Sequence, residues 1–139
     1  MNKILIVDAS GSDVRVMSSL LSKAGYAPLG VDSIESGKVE AAKLPPGAVV
    51  VAAMRLSDGT ARELIDWLKM ERYGFPVIAI VENLEPLDIV RVMSGGGATD
   101  IIQRPAIDKQ LIETIRQYAR PEHVVLTLDN QLLPRKSEA

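Results

Sequence analysis

The chain has 139 residues, of which 47% are hydrophobic and 24% charged, with 16 Lys and Arg against 18 Asp and Glu. This length suits one domain, and the net charge of −2 gives no general electrostatic case for nucleic acid or an anionic membrane as the partner. The absence of cysteine excludes disulfides and thiolate chemistry, and a single histidine, His123, excludes a site built from several imidazoles.

The chain carries no targeting or membrane-spanning signal in its sequence. Its N-terminal apolar run is too short for a signal peptide, and no apolar stretch approaches the ~20 residues that a membrane helix needs. We therefore expect a soluble, cytoplasmic protein.

Short apolar runs rich in β-branched residues recur along the chain, and each predicts a strand. Their apolar character is continuous rather than alternating, which is typical of strands that are buried on both faces of a parallel sheet. The runs comprise residues 4–7, 48–53 and 76–81, a weaker one at 99–102, and a less apolar, edge-type stretch at 26–31.

Helical patterns separate these strands. Apolar residues recur at three- and four-residue steps, and glycines stand where helices should end. Gly37 weakens the second pattern, because glycine costs about 1 kcal/mol relative to alanine inside a helix. The predicted helices cover residues 14–24, 33–43, 63–70, 86–94 and 107–118. Strands that alternate with helices in this way predict right-handed crossovers and a parallel sheet covered on both faces.

Residues 1–120 form one predicted domain without an internal linker. Residues 121–139 differ in composition and are interpreted as a C-terminal extension or the start of a linker. A short additional strand is predicted at 123–128.

In a doubly wound sheet, ligands bind outside the carboxyl ends of the strands. The residues to inspect are therefore those that end each strand: Asp8, Ala9, Ala53, Val81, Glu82 and Arg104. Of the two carboxylates among them, only Asp8 is predicted to lie in the pocket itself.

Four short motifs occur in order along the chain: KILIVD at 3–8, MRLSDG at 54–59, PVI at 76–78 and GATDIIQRP at 97–105. Together they resemble the receiver domain of bacterial response regulators, across about residues 2–120. The resemblance implies an α/β, flavodoxin-like (βα)5 fold, doubly wound around a five-stranded parallel sheet in the strand order 2-1-3-4-5.

The chemistry of that family is phosphoryl transfer to an aspartate, which requires Mg²⁺, a hydroxyl and a lysine. This sequence departs from the family at each of these positions. The acceptor position is Ala53, the acidic pair is reduced to Asp8 and Ala9, the hydroxyl position is Val81, the lysine position is Arg104, and the aromatic switch position is Ile101. We expect a degenerate pseudo-receiver that lacks the phosphoacceptor, has no cofactor and binds Mg²⁺ weakly or not at all.

Several residues near the pocket have two interpretations. Asp58 is either a displaced phosphoacceptor or a turn residue before Gly59. Ser10 or Ser12 either helps to hold an anion or simply caps the first helix. Arg104 is expected to pair with Asp8, because an unpaired buried charge is costly.

The resemblance favours a regulatory module, and we expect no enzymatic activity. The predicted function is that of an atypical receiver domain in bacterial two-component, phosphorelay-type signalling, which acts through phosphorylation-independent protein–protein interaction. Its partners would be signalling proteins, or a second copy through the face of the fourth helix, fifth strand and fifth helix, with no direct nucleic acid or membrane binding. The candidate interface residues, which are equally typical of solvated helix surface, are Arg91, Gln103, Lys109, Glu113 and Arg116.

The alternative is a ligand- or anion-responsive α/β regulatory domain that reuses the vacated phosphorylation pocket. Its positive arguments are Arg104 and the N-terminus of the first helix.

Overall fold

The computed structural model describes residues 2–82 and 85–119, together with the backbone of 124–126 and 132–134. Strands and helices alternate along most of the chain. In chain order up to residue 118, they are β1 (Lys3–Val7), α1 (Gly11–Lys23), β2 (Ala27–Val31), α2 (Ile34–Ala41), β3 (Val49–Ala53), β4 (Arg55–Leu56), β5 (Gly59–Thr60), α3 (Ala61–Met70), β6 (Val77–Val81), α4 (Pro86–Met93), β7 (Asp100–Gln103) and α5 (Ile107–Tyr118).

The main sheet has five parallel strands in the order β2-β1-β3-β6-β7. This confirms the predicted order 2-1-3-4-5, since β6 and β7 are the fourth and fifth strands of the sheet. The stretch predicted to lie near an edge is β2, which does lie at one edge and is only partly buried.

A separate two-stranded sheet, next to the five-stranded one, was not predicted. Strands β4 and β5 form an antiparallel hairpin between β3 and α3, with two residues in each strand. Two residues per strand are too few for a periodic sequence pattern, and all of them except Thr60 lie within the MRLSDG motif, which has the composition of a loop.

The two faces of the sheet bury separate apolar clusters. In β1, Leu5 and Val7 belong to the cluster on one face, while Ile4 and Ile6 belong to the cluster on the other. Helices α2, α3 and α4 supply the first cluster, and α1 and α5 supply the second. This two-sided burial explains why the central strands are continuously apolar in sequence.

Gly37 is compatible with the second helix for a packing reason. A Cβ atom at this position would lie 3.3 Å from Cγ2 of Val7, so glycine lets α2 approach β1 closely. The cost in helix propensity is therefore accompanied by closer packing against the sheet.

The described part of the C-terminal region consists of two short strands. β8 (Val124–Leu126) pairs antiparallel with β9 (Leu132–Pro134). The middle of the strand predicted at 123–128 is therefore a strand, whereas His123 and residues 127–128 lie outside the described residues. The division of the chain at residue 120 remains a prediction. Within the described residues, no helix is long and apolar enough to cross a membrane.

Candidate functional site

The carboxyl ends of the central strands meet at one edge of the sheet. Ala53 is paired with Ile80, and Val81 with Gln103, so the ends of β3, β6 and β7 are level. Asp8 directly follows β1, and its backbone N–H donates to the carbonyl of Val31 at 3.0 Å. The predicted site residues of these strands therefore share one edge of the sheet.

The guanidinium group of Arg104 contacts three carboxylates at this edge of the sheet. Nη1 donates to Oδ2 of Asp8 at 3.1 Å and also contacts Oδ2 of Asp13, while Nε donates to Oε2 of Glu82 at 2.5 Å. The pairing of Arg104 with Asp8, expected from the sequence, is present. We call the four side chains of Asp8, Asp13, Glu82 and Arg104 the arginine network.

The electrostatics of the network favour the charged arginine. Burial acts to lower the pKa of Arg104, but the hydrogen bond to Glu82 and the charge of Asp8 outweigh it and raise the pKa above its usual value. One positive charge faces three carboxylates, so the guanidinium is held by more acceptors than a single ion pair would offer.

Asp8 is the buried member of the network, with 3% of its surface exposed. Its Oδ1 accepts a hydrogen bond from the backbone N–H of Ser10 at 2.9 Å, and its Oδ2 accepts from Arg104. Both carboxylate oxygens are thus engaged within the chain. Ser10 is also the N-cap of α1, because its hydroxyl accepts from the N–H of Asp13 at 3.3 Å.

The residues of this edge do not fit the Mg²⁺ ion that receiver chemistry requires. Ala9 and Ala53 carry no oxygen in their side chains, and neither does Val81. In the described part of the chain, no group of three or more His, Asp or Glu side chains is arranged to hold a metal. The guanidinium also brings a positive charge to the remaining carboxylates, which opposes a second cation. No phosphoryl-transfer step follows from this set of side chains.

Two members of the network, Glu82 and Asp13, were not predicted from the sequence to lie in the pocket, and the prediction that Asp8 is the single carboxylate here is wrong. Glu82 directly follows β6 and was among the strand-end residues inspected, but nothing in the sequence indicated its hydrogen bond to Arg104. Asp13 lies in the first turn of α1 and reaches Arg104 from 91 residues away in the chain. No local pattern signals such a contact.

Asp58 has a specific structural contact. Its Oδ1 accepts from the N–H of Ile34 at 2.7 Å, and its Oδ2 accepts from the N–H of Glu35 at 3.1 Å. The carboxylate therefore ties the β4–β5 turn to the first turn of α2, where backbone N–H groups lack helical partners. Hydrogen bonding by Ile34 is the largest cause of a pKa for Asp58 below its usual value.

Replacing Asp58 with alanine should destabilise the protein at neutral pH, because two N–H groups of α2 lose their acceptor. Since the pKa of Asp58 is depressed on folding, its charge stabilises the fold above the usual Asp pKa of roughly 3.9. That contribution disappears as the pH falls through the lower folded value. The melting temperature of D58A should be lower than that of the unaltered chain at pH 7, and this difference should become smaller in acid. Equal melting temperatures of D58A and the unaltered chain at pH 7 would contradict this role. The control is E71A, which removes an exposed carboxylate that has no hydrogen bond or ion pair with the described residues.

The candidate interface residues lie on α4, β7 and α5, as the sequence predicted, without a described contact that gives them a role. Arg91 and Lys109 are exposed, Gln103 is half-buried, and Glu113 and Arg116 form an exposed ion pair at 3.3 Å. Ile101, at the switch position, is half-buried and packs against the core cluster of α2, α3 and α4. Their part in an interface remains a prediction.

Comparison with known proteins identifies the same type of fold. No protein-family model matches the chain. It is 28% identical over 103 residues to the photosynthetic apparatus regulatory protein RegA of Rhodovulum sulfidophilum, and the match covers 74% of this chain and 55% of that protein. The chain thus spans about half the length of this curated relative.

Solved structures show the likeness in three dimensions. FixJ-N superposes with a TM-score of 0.78 at 26% identity, over 91% of this chain and 98% of that one. A beryllofluoride-activated NtrC4 receiver domain dimer gives a TM-score of 0.75 at 23% identity, over 86% of this chain and 97% of that one. The chain has the flavodoxin-like, CheY-like fold of the receiver domains of two-component response regulators.

Proposed function

We propose that the chain is an atypical receiver domain of two-component signalling that acts by protein–protein interaction without being phosphorylated. The observation that carries this proposal is the arginine network at the carboxyl edge of the sheet. A guanidinium bonded to three carboxylates neutralises part of the charge of a pocket whose acceptor position is Ala53.

The network supports a role that does not depend on a chemical switch. In a phosphorylated receiver, the charge of the pocket changes when Mg²⁺ and a phosphoryl group bind, and this change biases the conformation. Here the cation is part of the chain, since Arg104 remains protonated at any physiological pH. We infer a domain that presents one surface constantly, with no catalytic activity and with Mg²⁺ binding that is weak or absent.

The partner of such a domain is proposed to be a protein, and a second copy of the chain is one candidate. Helix α4, which is one element of the face predicted from the sequence, exposes two large aliphatic side chains, Leu87 and Val90. The similar NtrC4 receiver domain is described as a dimer. We propose a cytoplasmic location for the domain and no direct contact with nucleic acid or membrane.

The geometry gives less support to a ligand-responsive domain that reuses the pocket. Arg104 was one of its two arguments, and its Nε and Nη1 are already bonded to carboxylates. The N-terminus of α1 was the other, and Ser10 caps it, with Asp13 in its first turn. Stabilisation of the protein by small anions in a thermal-shift screen would revive this alternative.

Incubation with acetyl phosphate and Mg²⁺ should leave the mass of the protein unchanged, and beryllofluoride should leave the fluorescence of Trp67 unchanged. The physical reason is that the side chain of Ala53 offers no nucleophile and that the carboxylate of Asp58 accepts hydrogen bonds from the backbone of α2. Intact-protein mass spectrometry and a fluorescence titration check both results.

A phosphorylated product would contradict the proposed function. The variant D58A identifies the acceptor in that event, because loss of the label in D58A would assign it to Asp58. Sedimentation velocity over a range of concentrations then separates a second copy from another protein as the partner.

A further inference from the structure

A small cavity lies between the β4–β5 hairpin, the start of α3 and helix α4. Its volume is about 290 Å³, and its lining consists of Met54, Arg55, Thr60, Arg62, Asp88 and Arg91. None of these residues belongs to the arginine network. We call this cavity the arginine cavity.

The three arginines of the cavity differ in how far they are engaged. Arg62 is held in place, because its Nε donates to Asp66 at 2.9 Å and its Nη1 donates to the carbonyl of Ser94 at 2.5 Å. It thereby fixes the C-terminal end of α4. Its position in the cavity is a consequence of this structural role.

The other two arginines have guanidinium N–H groups that are not engaged by the described residues. Arg55 makes no side-chain hydrogen bond or ion pair with any residue in the described part of the chain, and it is exposed. Arg91 is 66% exposed, and its guanidinium approaches only Asp88 among the described carboxylates, at 3.7 Å. A guanidinium presents its N–H groups as a planar fork that matches a carboxylate or a phosphate.

The charge of the cavity differs in sign from that of the chain. Three arginines and one aspartate line it, so its balance is positive, whereas the whole chain carries −2. A local excess of positive charge on an acidic protein attracts and orients an anionic group. Anionic oxygens are therefore the chemistry that the cavity would recognise.

Apolar surface adjoins this charge. Leu87 is 66% exposed and Val90 is 57% exposed, and Leu87 lies one helical turn before Arg91 on the same face of α4. A free inorganic anion would use the arginines and leave both aliphatic side chains in water. A segment with acidic and aliphatic side chains would engage both, which favours a partner polypeptide over a free ion.

We propose that the arginine cavity and the adjoining face of α4 bind an acidic, amphipathic segment of a partner protein. A carboxylate of the segment binds between Arg55 and Arg91, and its aliphatic residues pack on Leu87 and Val90. This proposal rests on the proposed function and specifies its partner. The surface shares Arg91 with the face predicted from the sequence, but it extends toward β4 and α3 instead of toward β7 and α5.

The test uses a short synthetic helical peptide of Glu, Leu and Ala that presents Glu and Leu on one face. Titrated into the ¹⁵N-labelled full chain, it should shift the amide signals of residues 54–62 and 87–93. The double variant R55Q/R91Q should raise the Kd at least about tenfold, and L87S/V90S should also raise it. Arg62 is left unchanged because it anchors α4.

The matched control is R15Q/K23Q, which removes the same number of positive charges from exposed positions of α1, on the opposite face of the sheet from α4. Its Kd should stay within about twofold of the unaltered chain, since surface charges far from a contact act weakly through screening solvent. A peptide with Gln for each Glu should lose binding.

Several results would overturn the proposal. These are no amide shifts, equal losses in the two charge-removing double variants, unchanged binding of the Gln peptide, or tighter binding of a single-stranded DNA oligonucleotide through the same arginines. Phosphorylation by acetyl phosphate would contradict the proposed function alone, because the peptide comparison does not depend on it.

Discussion

Replacing Arg104 with methionine should lower the free energy of unfolding by about 3 kcal/mol, as expected when one member of a buried ion pair is removed. Asp8 is 3% exposed and would lose its charged partner while remaining out of water. Asp13 and Glu82 would lose the same guanidinium, so three carboxylates would face one another without a cation. Chemical denaturation followed by circular dichroism measures the loss.

Two variants control this experiment. K109M replaces an exposed cation on α5 with methionine, the residue that is also introduced in R104M. It should change the free energy of unfolding by no more than about 0.5 kcal/mol. The double variant D8N/R104M removes the buried charge together with its partner, so its loss should be smaller than the sum of the two single losses. Additive losses would show that Asp8 and Arg104 are not energetically coupled, and an R104M variant as stable as the unaltered chain would show that the network does not stabilise the fold.

The fold could be predicted from the sequence because its information is local. Each central strand is a continuous apolar run, and in β1 alternate residues such as Leu5 and Ile6 enter opposite clusters. Strands buried on both faces and separated by helices leave few arrangements, since crossovers between parallel strands are right-handed. The β4–β5 hairpin could not be predicted, because two residues per strand carry no periodic signal.

The location of the candidate site in the fold could be predicted from the sequence, but only some of its residues and contacts could be. Strand ends located Asp8 and Arg104, and the cost of a buried charge predicted that the two would pair. The contact of Asp13 with Arg104 depends on how α1 and β7 are placed by the fold, across 91 residues of chain. The contact of Asp58 with Ile34 spans 24 residues and depends on the turn that β4 and β5 form.

Arginine at position 104 does more than preserve a positive charge. The guanidinium offers donors in a rigid fork, and here Nε and Nη1 reach carboxylates on different elements. A lysine has one nitrogen on a flexible stem and could not hold Glu82 and Asp13 in the same fixed geometry. Under the proposed function, Arg104 and the alanine at position 53 belong to one arrangement, in which hydrogen bonds within the chain occupy the carboxylates of the pocket.

We expect that an acceptor at position 53 is not sufficient for phosphorylation of the chain. The variant A53D should not be phosphorylated by acetyl phosphate and Mg²⁺, because Asp8 is still hydrogen-bonded to Arg104 and position 81 still lacks a hydroxyl. It should also be less stable, since Ala53 is 1% exposed and a carboxylate there is buried without a partner. Mass spectrometry and thermal denaturation measure both effects.

The combined variant A9D/A53D/V81T/R104K should be phosphorylated by acetyl phosphate in a Mg²⁺-dependent reaction. The carboxylate introduced at position 9 would join Asp8 in supplying the oxygens that Mg²⁺ requires, and the threonine would supply the hydroxyl. The lysine would release Asp13 and Glu82 while keeping one positive charge. The same variant with Ala53 retained is the matched control, and a folded circular dichroism spectrum is required of both.

Phosphorylation of A53D alone would show that the arginine network does not close the pocket, and phosphorylation of the control would show that a residue other than position 53 accepts the phosphoryl group. Labelling of the combined variant alone would show that the fold still accommodates phosphoryl chemistry. In that case the four native side chains at positions 9, 53, 81 and 104 are what prevent it, because nothing else in the chain differs between the labelled and unlabelled proteins.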